Sequence, residues 1–425
     1  MSIDNFLLSS NTTDLNYPEI RPTLDLNFAR VKALDPRITF TRASGGSYVG
    51  ADGLIKLAGV NEPRFDHDPY TGESLGLLVE EARTNLITYS EQFDNAAWTK
   101  SFGSISTNTT TAPDGTLTAD KFINDSSNSE HYITGPGVTF APLTTGTTFS
   151  CFAKAAEFSK VAIGYPNALV VFDLTNGTIF STTNAFSFTL VSSIQSFPGG
   201  WYRCSIAVNT NGTPFNPNLT IWMADASGNR SYAGDGISGI FLWGAQLEAG
   251  SFPTSYIPTE GSSRTRAADV ASITGANFSS WYNYNASTIV IDGKPLSLSG
   301  SPRLITMSGG GGENRLWTVA QDFYTSSYAS GGGGQVLTSY AIDATSFKKY
   351  AYTFDYNSTS NLTTLKNTTF GQTVLTNTAS GYNIPLSGAN LHIGSSGDAS
   401  GHKWIRRLTY YPKRLTDAQL QVLTR

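Results

Sequence analysis

Charge is scarce in this chain. Asp, Glu, Lys and Arg make up 14% of its 425 residues, and 28 basic against 32 acidic side chains leave a formal charge of −4. The basic residues are scattered, so no stripe exists to neutralise a phosphate backbone, and nucleic acid is not an expected partner. Cysteine is limited to Cys151 and Cys204, too few for a disulfide framework or a structural zinc site. Each lies in an apolar strand-like run, FSCFAKAA and WYRCSIAV, and reads as a small buried hydrophobe. The histidines are His67, His131, His392 and His402, none with a second at metal-ligand spacing. No apolar run reaches the roughly 18 residues of a membrane span. The opening MSIDNFLLSSNTTDLNYPEI lacks the basic start and apolar stretch of a secretory signal. A soluble chain made in the cytoplasm is expected, with no membrane insertion, no metal and no cofactor. The N-x-S/T triplets at Asn11 and Asn108 are what an Asn- and Thr-rich chain holds by chance, and no glycosylation is read from them.

What is abundant is glycine (41 residues) and aromatic side chains (12%), set among Ser, Thr and Asn. That usage is the reverse of a helical protein's and favours short strands with many turns. Residues 1–22 are polar, carry no apolar period and reach Pro18 and Pro22, which suits an extended arm. From Leu24 the pattern becomes alternating, with Leu24, Leu26 and Phe28 between polar residues, and 23–88 reads as a small β opening module. Within it DPYTGE, with Pro69 and Gly72, separates two apolar runs as a tight turn. Residues 89–262 show strands at short, even intervals, among them TTFSCFAKAA, KVAIGYP, LVVFDLTNG, FSFTLVSSIQSF, GGWYRCSIAV, NLTIWMAD and GIFLWGAQLEAG. Strands broken by Gly, Asn and Pro turns describe an antiparallel sandwich of jelly-roll type. Residues 263–425 form a second strand-rich region, from STIVIDGKP to HKWIRRLTYY. It closes on LTDAQLQVL, where Thr416 can cap the helix that Leu415, Leu420 and Leu423 outline. That short C-terminal helix is the one helix expected. The fold class is all-β, with tandem antiparallel β-sandwiches.

Catalytic patterns are thin. Glycan hydrolysis needs two carboxylates about 5–10 Å apart, and no E-x-D-x-E alternation on a strand supplies them. Glu80 and Glu81 would point to opposite faces, while Asp66 and Asp68 would share one around His67. Asp68 before Pro69, however, has the ordinary role of starting a turn. No G-x-S-x-G elbow occurs. The 225–235 run DASGNRSYAGD offers oxygen ligands for Ca²⁺ without the regular spacing of a calcium loop, and a solvated loop is the preferred reading. The glycine runs 309–312 and 331–334 lack a following Lys-Ser/Thr pair and read as loop tips. Sugar binding asks less: an aromatic face and a few polar partners. Asp322, Tyr324 and Tyr328 beside the second glycine run are one candidate set, and Trp281, Tyr282 and Tyr284 in SSWYNYNAS another. In both sets core or subunit packing competes with ligand contact. Trp201, Trp222, Trp243 and Trp404 lie in apolar strands and are assigned to the core.

Three strings carry a resemblance. They are LDLNFARVKALDPRITFTRASGGSYVGADGLIKLAGVNEPRFDHDPYTGESLGLLVEEARTNLI, then SFPTSYIPTEGSSRTRAADV after WGAQLEAG, and the closing GHKWIRRLTYYPKRLTDAQLQVL. In order and spacing they resemble the modular virion proteins of bacteriophages, the tail- and head-fibre type. The first looks like their opening block, the second like the end of a carbohydrate-binding-module-like domain, and the third like the end of a concanavalin-A-like (laminin-G-like) domain. The resemblance implies a virion arm at 1–22, an opening module at 23–88, a carbohydrate-binding-module-like jelly roll at 89–262 and a concanavalin-A-like lectin domain at 263–425. It also implies a homo-oligomer, usually a trimer, held by other virion proteins through Asn5, Phe6, Leu7, Leu8, Leu15 and Tyr17. The function expected is a non-enzymatic fibre or spike that presents sandwiches to host surface glycans. Two alternatives stand beside it: a decoration or cement protein without ligand, and a glycan depolymerase.

Overall fold

The computed structural model describes residues 17–136, 146–211, 219–283, 285–296, 303–308, 315–319, 346–357, 360, 362–369, 371–380, 390–394 and 402–425. The chain is all-β, built of antiparallel sheets in sandwiches, with a short C-terminal helix. It forms two compact units, each drawn from separated stretches: 1–41, 75–81 and 269–425 in one, 42–74 and 82–268 in the other. The 23–88 stretch thus contributes to both.

In the unit formed by 42–74 and 82–268, two six-stranded sheets face each other. One runs, from edge to edge, Thr189–Phe197, Trp201–Asn209, Thr147–Ala155, Gly239–Ala249, Ala119–Asn124 and Gly103–Thr110. The other runs Thr178–Asn184, Ala168–Asp173, Lys160–Tyr165, Thr220–Ala224, Tyr132–Thr134 and Thr99–Ser101. Because side chains alternate along a strand, Val161, Ile163, Val170, Phe172, Ile221 and Met223 meet Phe149, Ile206 and Leu242 in one buried core. The opposite face of the second sheet is apolar too, with Ala162, Leu169, Val171, Trp222 and Ala224 in a separate buried cluster. Cys151 and Cys204 sit opposite each other on neighbouring strands as free, buried thiols, and burial pushes the Cys151 thiol up to about 12. At DPYTGE, Asp68 accepts hydrogen bonds from the Tyr70 and Thr71 amides, and Gly72 takes φ 70°, a conformation glycine adopts without strain. The strand Thr178–Asn184 was not foreseen: TIFSTTN is exposed throughout and so carries no alternation to read.

In the other unit, one sheet orders Leu375–Ser380, Leu362–Thr369, Lys348–Asn357, Ala286–Pro295, Lys403–Tyr411 and Ser74–Val79, with Leu24–Asn27 also pairing to Lys403–Tyr411. The second orders Thr39–Thr41, Val270–Ile273, Asn390–Ile393, Arg303–Ser308 and Arg315–Val319. Leu24 and Leu26 are buried opposite Tyr410 and Leu408, while Asp25 between them pairs with Arg407 on the outer side. Gly76 lets the chain lie against the next strand, since a Cβ there would sit 2.2 Å from the Ile405 carbonyl oxygen. The C-terminal helix Asp417–Leu423 packs Leu420 on the sheet's outer face with Val290, Ala351 and Tyr411. A second helix, Gly275–Ser279, corrects the expectation of a single one; at five residues it is too short to show a helical period.

Candidate functional site

The polar hollow that stands out lies in the unit formed by 42–74 and 82–268, and it is assembled from chain segments far apart in sequence. Strand Arg83–Asn85 pairs antiparallel with Arg264–Arg266. Next to it the buried Asn85 side chain is fully used: Nδ2 donates to the Ala245 and Ile257 carbonyls, and Oδ1 accepts from the Ile87 and Leu247 amides. The 254–260 segment is then clamped along 87–91. The Tyr89 amide donates to the Glu260 carbonyl (2.7 Å), the Thr259 amide to Ser90 Oγ (2.8 Å) and Thr259 Oγ1 to the Ile87 carbonyl (2.7 Å). Tyr256 is buried, and its hydroxyl lies 2.8 Å from Ser90 Oγ and donates to Glu91 Oε1 at 2.8 Å. Each of these bonds satisfies a group that burial would otherwise penalise.

The clamp leaves a hollow of about 380 Å³ lined by Glu91, Gln92, Pro258, Thr259, Glu260, Ser262, Ser263 and Arg264. Burial pushes the Glu91 carboxyl up, the Tyr256 hydroxyl opposes this, and the negative charges of Asp114 and Glu260 add to the upward shift. Two carboxylates, an amide, three hydroxyls and a guanidinium thus converge on one concave surface of the size that small ligands occupy. A smaller, apolar hollow of about 130 Å³, lined by Gly45, Gly46, Leu57, Ala58, Tyr256, Ile257 and the Arg264–Arg266 strand, shares Pro258 and Arg264 with it.

The residues singled out from sequence fall elsewhere. Asp66 Oδ1 accepts from the Val49 amide (2.6 Å) and His67 Nδ1 lies 3.0 Å from the Val49 carbonyl, so both side chains serve to join neighbouring backbone. Glu80 is buried with Oε1 2.7 Å from His402 Nδ1, and its amide donates to Asp269, so this carboxylate belongs to an internal polar cluster. Lys403 shares that interior, and burial lowers its ammonium to about 8 against the pull of Glu81 and Asp269. Asp225 accepts from the Ser227 and Asn229 amides and from Asn229 Nδ2, which commits its oxygens to its own loop. Among the described residues no cluster of three or more His, Cys, Asp or Glu is arranged to hold a metal ion. Trp281 is buried, its ring 4.8 Å from Phe278 and 4.7 Å from Tyr410, and Tyr282 stacks into the same group 4.7 Å from Phe278. Trp281 is thus buried, and Tyr282 half-buried, within an aromatic group that packs on Tyr410. Trp201, Trp222 and Trp243 are buried as assigned, while Trp404 is half-buried. Tyr17 is exposed. Asn5, Phe6, Leu7, Leu8, Leu15, Tyr284, Asp322, Tyr324, Tyr328 and both glycine runs lie outside the described residues.

The residues of the polar hollow were missed because 166 positions separate Gln92 from Pro258, and only tertiary pairing joins them. The one available signal was the density of polar groups in PTEGSSRTR. Among the described residues no helix is long and apolar enough to cross a membrane. No protein-family model and no curated protein matches the chain.

Proposed function

We propose that this chain is a non-catalytic saccharide-binding β-sandwich protein, with the hollow between Glu91 and Arg264 as its ligand site. More particularly, we read it as a fibre or spike component of a bacteriophage particle that displays jelly-roll and concanavalin-A-like sandwiches to host surface glycans. The observation that carries the reading is the convergence of Glu91, Gln92, Thr259, Glu260, Ser262, Ser263 and Arg264 on one hollow. A polyhydroxylated ligand needs alternating donors and acceptors, and this lining supplies both. Multiple copies on a particle would convert weak single-site binding into firm attachment, since linked sites raise avidity without new contacts.

One observation favours the depolymerase reading instead: the Glu91 carboxyl is pushed upward beside Glu260 in the same hollow. A raised carboxyl next to a second one is the arrangement general acid catalysis uses. The two readings separate in one experiment. The full chain is screened on an array of hexoses, aminosugars and uronic acids, and reducing ends are assayed after incubation with polysaccharides that contain the bound sugars. Binding that falls at least tenfold in Arg264→Ala and Gln92→Ala, with no reducing ends released, supports the adhesin. Release abolished by Glu91→Gln establishes the enzyme, and no binding anywhere on the array leaves a decoration protein.

A further inference from the structure

We propose that Cys151 and Cys204 are a thiol pair preset to close into a cross-strand disulfide when the chain meets a low-molecular-weight disulfide oxidant. They are the only cysteines of the 425 residues, so neither has another partner within the chain. They stand directly opposite each other where Thr147–Ala155 pairs with Trp201–Asn209, in one unbroken antiparallel register. Directly opposed residues project from the same face of a sheet, and both side chains lie in the same buried core cluster. In such a pair the Cα atoms are about 4.5–5.5 Å apart, inside the roughly 4.4–6.8 Å that a disulfide spans. The backbone is therefore already where the bond needs it.

Little ties the Cys151 sulfur to its present place. It faces the Phe152 carbonyl at 3.4 Å and the Trp243 carbonyl at 3.5 Å, and a thiol is a weak donor. Pairing with Gly239–Ala249 on that side slips from Ser150 with Gln246 to Phe152 with Trp243, so Cys151 falls within an irregularity of the ladder. Access is the larger barrier. Both thiols are buried, and burial pushes both up, away from the thiolate form that attacks a disulfide. Cys204, however, is one strand from the edge of its sheet. Thr189–Phe197 is the outermost strand, and its Ile194, directly opposite Cys204, is only half-buried. Lifting that strand uncovers Cys204 first, and local opening of this kind costs less than unfolding the whole unit.

Closure takes two exchange steps. The Cys204 thiol loses its proton to solvent and its sulfur attacks one sulfur of the small disulfide, whose other half leaves as a thiolate and takes up a proton. The Cys151 sulfur, likewise deprotonated, then attacks Cys204 Sγ in this mixed disulfide and expels the second half. Two protein thiols and one small disulfide thus become one protein disulfide and two small thiols, with two electrons passing to the oxidant. The new bond encloses residues 152–203. That loop holds Lys160–Tyr165, Ala168–Asp173 and Thr178–Asn184 of the facing sheet as well as the edge strand Thr189–Phe197. Closing it takes freedom from the unfolded chain, which makes the oxidised form the more stable one. Neither step involves the hollow at Glu91.

The full chain, kept dilute, is incubated with oxidised glutathione, with Cys204→Ala as the control and Ile194→Ala as the variant that loosens the edge. Free thiols are titrated in denaturant and peptides are mapped by mass spectrometry. The native chain is expected to lose both thiols, to become lighter by two hydrogens and to yield a linked peptide pair containing Cys151 and Cys204. It is also expected to melt roughly 5–15 °C higher until a reductant is added. Closure in Ile194→Ala is expected to be at least about threefold faster, and Cys204→Ala to keep its melting temperature under the oxidant. Should either variant misfold, the peptide map and melting shift of the native chain decide alone. Thiols that stay free after prolonged oxidant in mild denaturant, glutathione adducts that do not resolve, links between copies, or an oxidised chain that melts below the reduced one would each overturn the proposal. A closure rate indifferent to Ile194→Ala would overturn the route through the edge.

Discussion

At the scale of single residues, several of the chain's scarce carboxylates are spent on backbone amides. Asp120 is the clearest case. Strand Gly103–Thr110 bulges against it: Ala119 pairs with Thr110 and Lys121 with Ser106, which leaves 107, 108 and 109 opposite Asp120 alone. Asn108 takes φ 53° within that bulge, and its amide donates to Asp120 Oδ1, while the Phe93 amide donates to Oδ2, both at 3.0 Å. Burial nevertheless dominates and pushes the carboxyl up to about 6, with those two amide bonds pulling the other way. In the unfolded chain the same group titrates near pH ~3.9. Between those values the folded state holds the proton and the unfolded state does not, so this group's contribution is full below pH ~4 and is lost as pH rises through 6. The expected outcome is that the melting-temperature difference between native chain and Asp120→Asn narrows or reverses between pH 4 and 6 and is flat above it. A difference that grows with pH across that window would contradict the assignment.

Among the elements, the C-terminal helix shows local sequence and tertiary packing in agreement. A helix of seven residues is not stable alone in water. Thr416 and Gln419 close a capping box, the Gln419 amide donating to Thr416 Oγ1 and the Thr416 amide to Gln419 Oε1. Leu415 and Leu420 then bury against Val290 and Ala351, so the cap orients a surface that packing holds. Thr416→Ala is expected to cost about 1 kcal/mol in denaturant unfolding, and Thr416→Ser much less; equal losses in both would show that the methyl group and not the cap matters. This helix was legible because its cap, first-turn acid and leucine spacing all lie within ten residues. Strands such as KVAIGY and LVVFD were legible for a related reason, since buried strands on both faces read as short apolar runs. Thr178–Asn184 was not, because an exposed edge owes its conformation to the neighbour it pairs with. Nor was the hollow at Glu91, whose lining is ordinary turn vocabulary until the Tyr89 to Glu260 bond brings it together.

For the whole molecule, evenly spaced strands disclose sandwiches but not which distant segment completes each one. The unit containing 89–262 draws on residues well before that stretch. Ile55 joins Phe152, Trp201, Trp243 and Tyr256 in a buried cluster. Arg64 Nη1 donates to both the Ser47 carbonyl and Ser255 Oγ, and Asn85 makes three buried bonds to strand Gly239–Ala249 and the 257 segment. A fragment cut at 89–262 loses all of these. Burying Ile55 is worth about 2 kcal/mol, and the Asn85 bonds add roughly 1 kcal/mol each. A deficit of about 5 kcal/mol or more corresponds to roughly 10–20 °C in melting temperature for a domain of this size. A fragment of 42–268 in which 75–81, a strand of the other unit, is replaced by a Gly/Ser linker is therefore expected to unfold cooperatively. Residues 89–262 should melt at least ~10 °C lower, or bind a hydrophobic dye without a sharp transition, because Trp201 and Trp243 lose their cover. Scanning calorimetry of the two fragments decides it. Matching transitions would mean that 42–88 is an attachment to a self-sufficient sandwich, and that its buried contacts contribute position without stability.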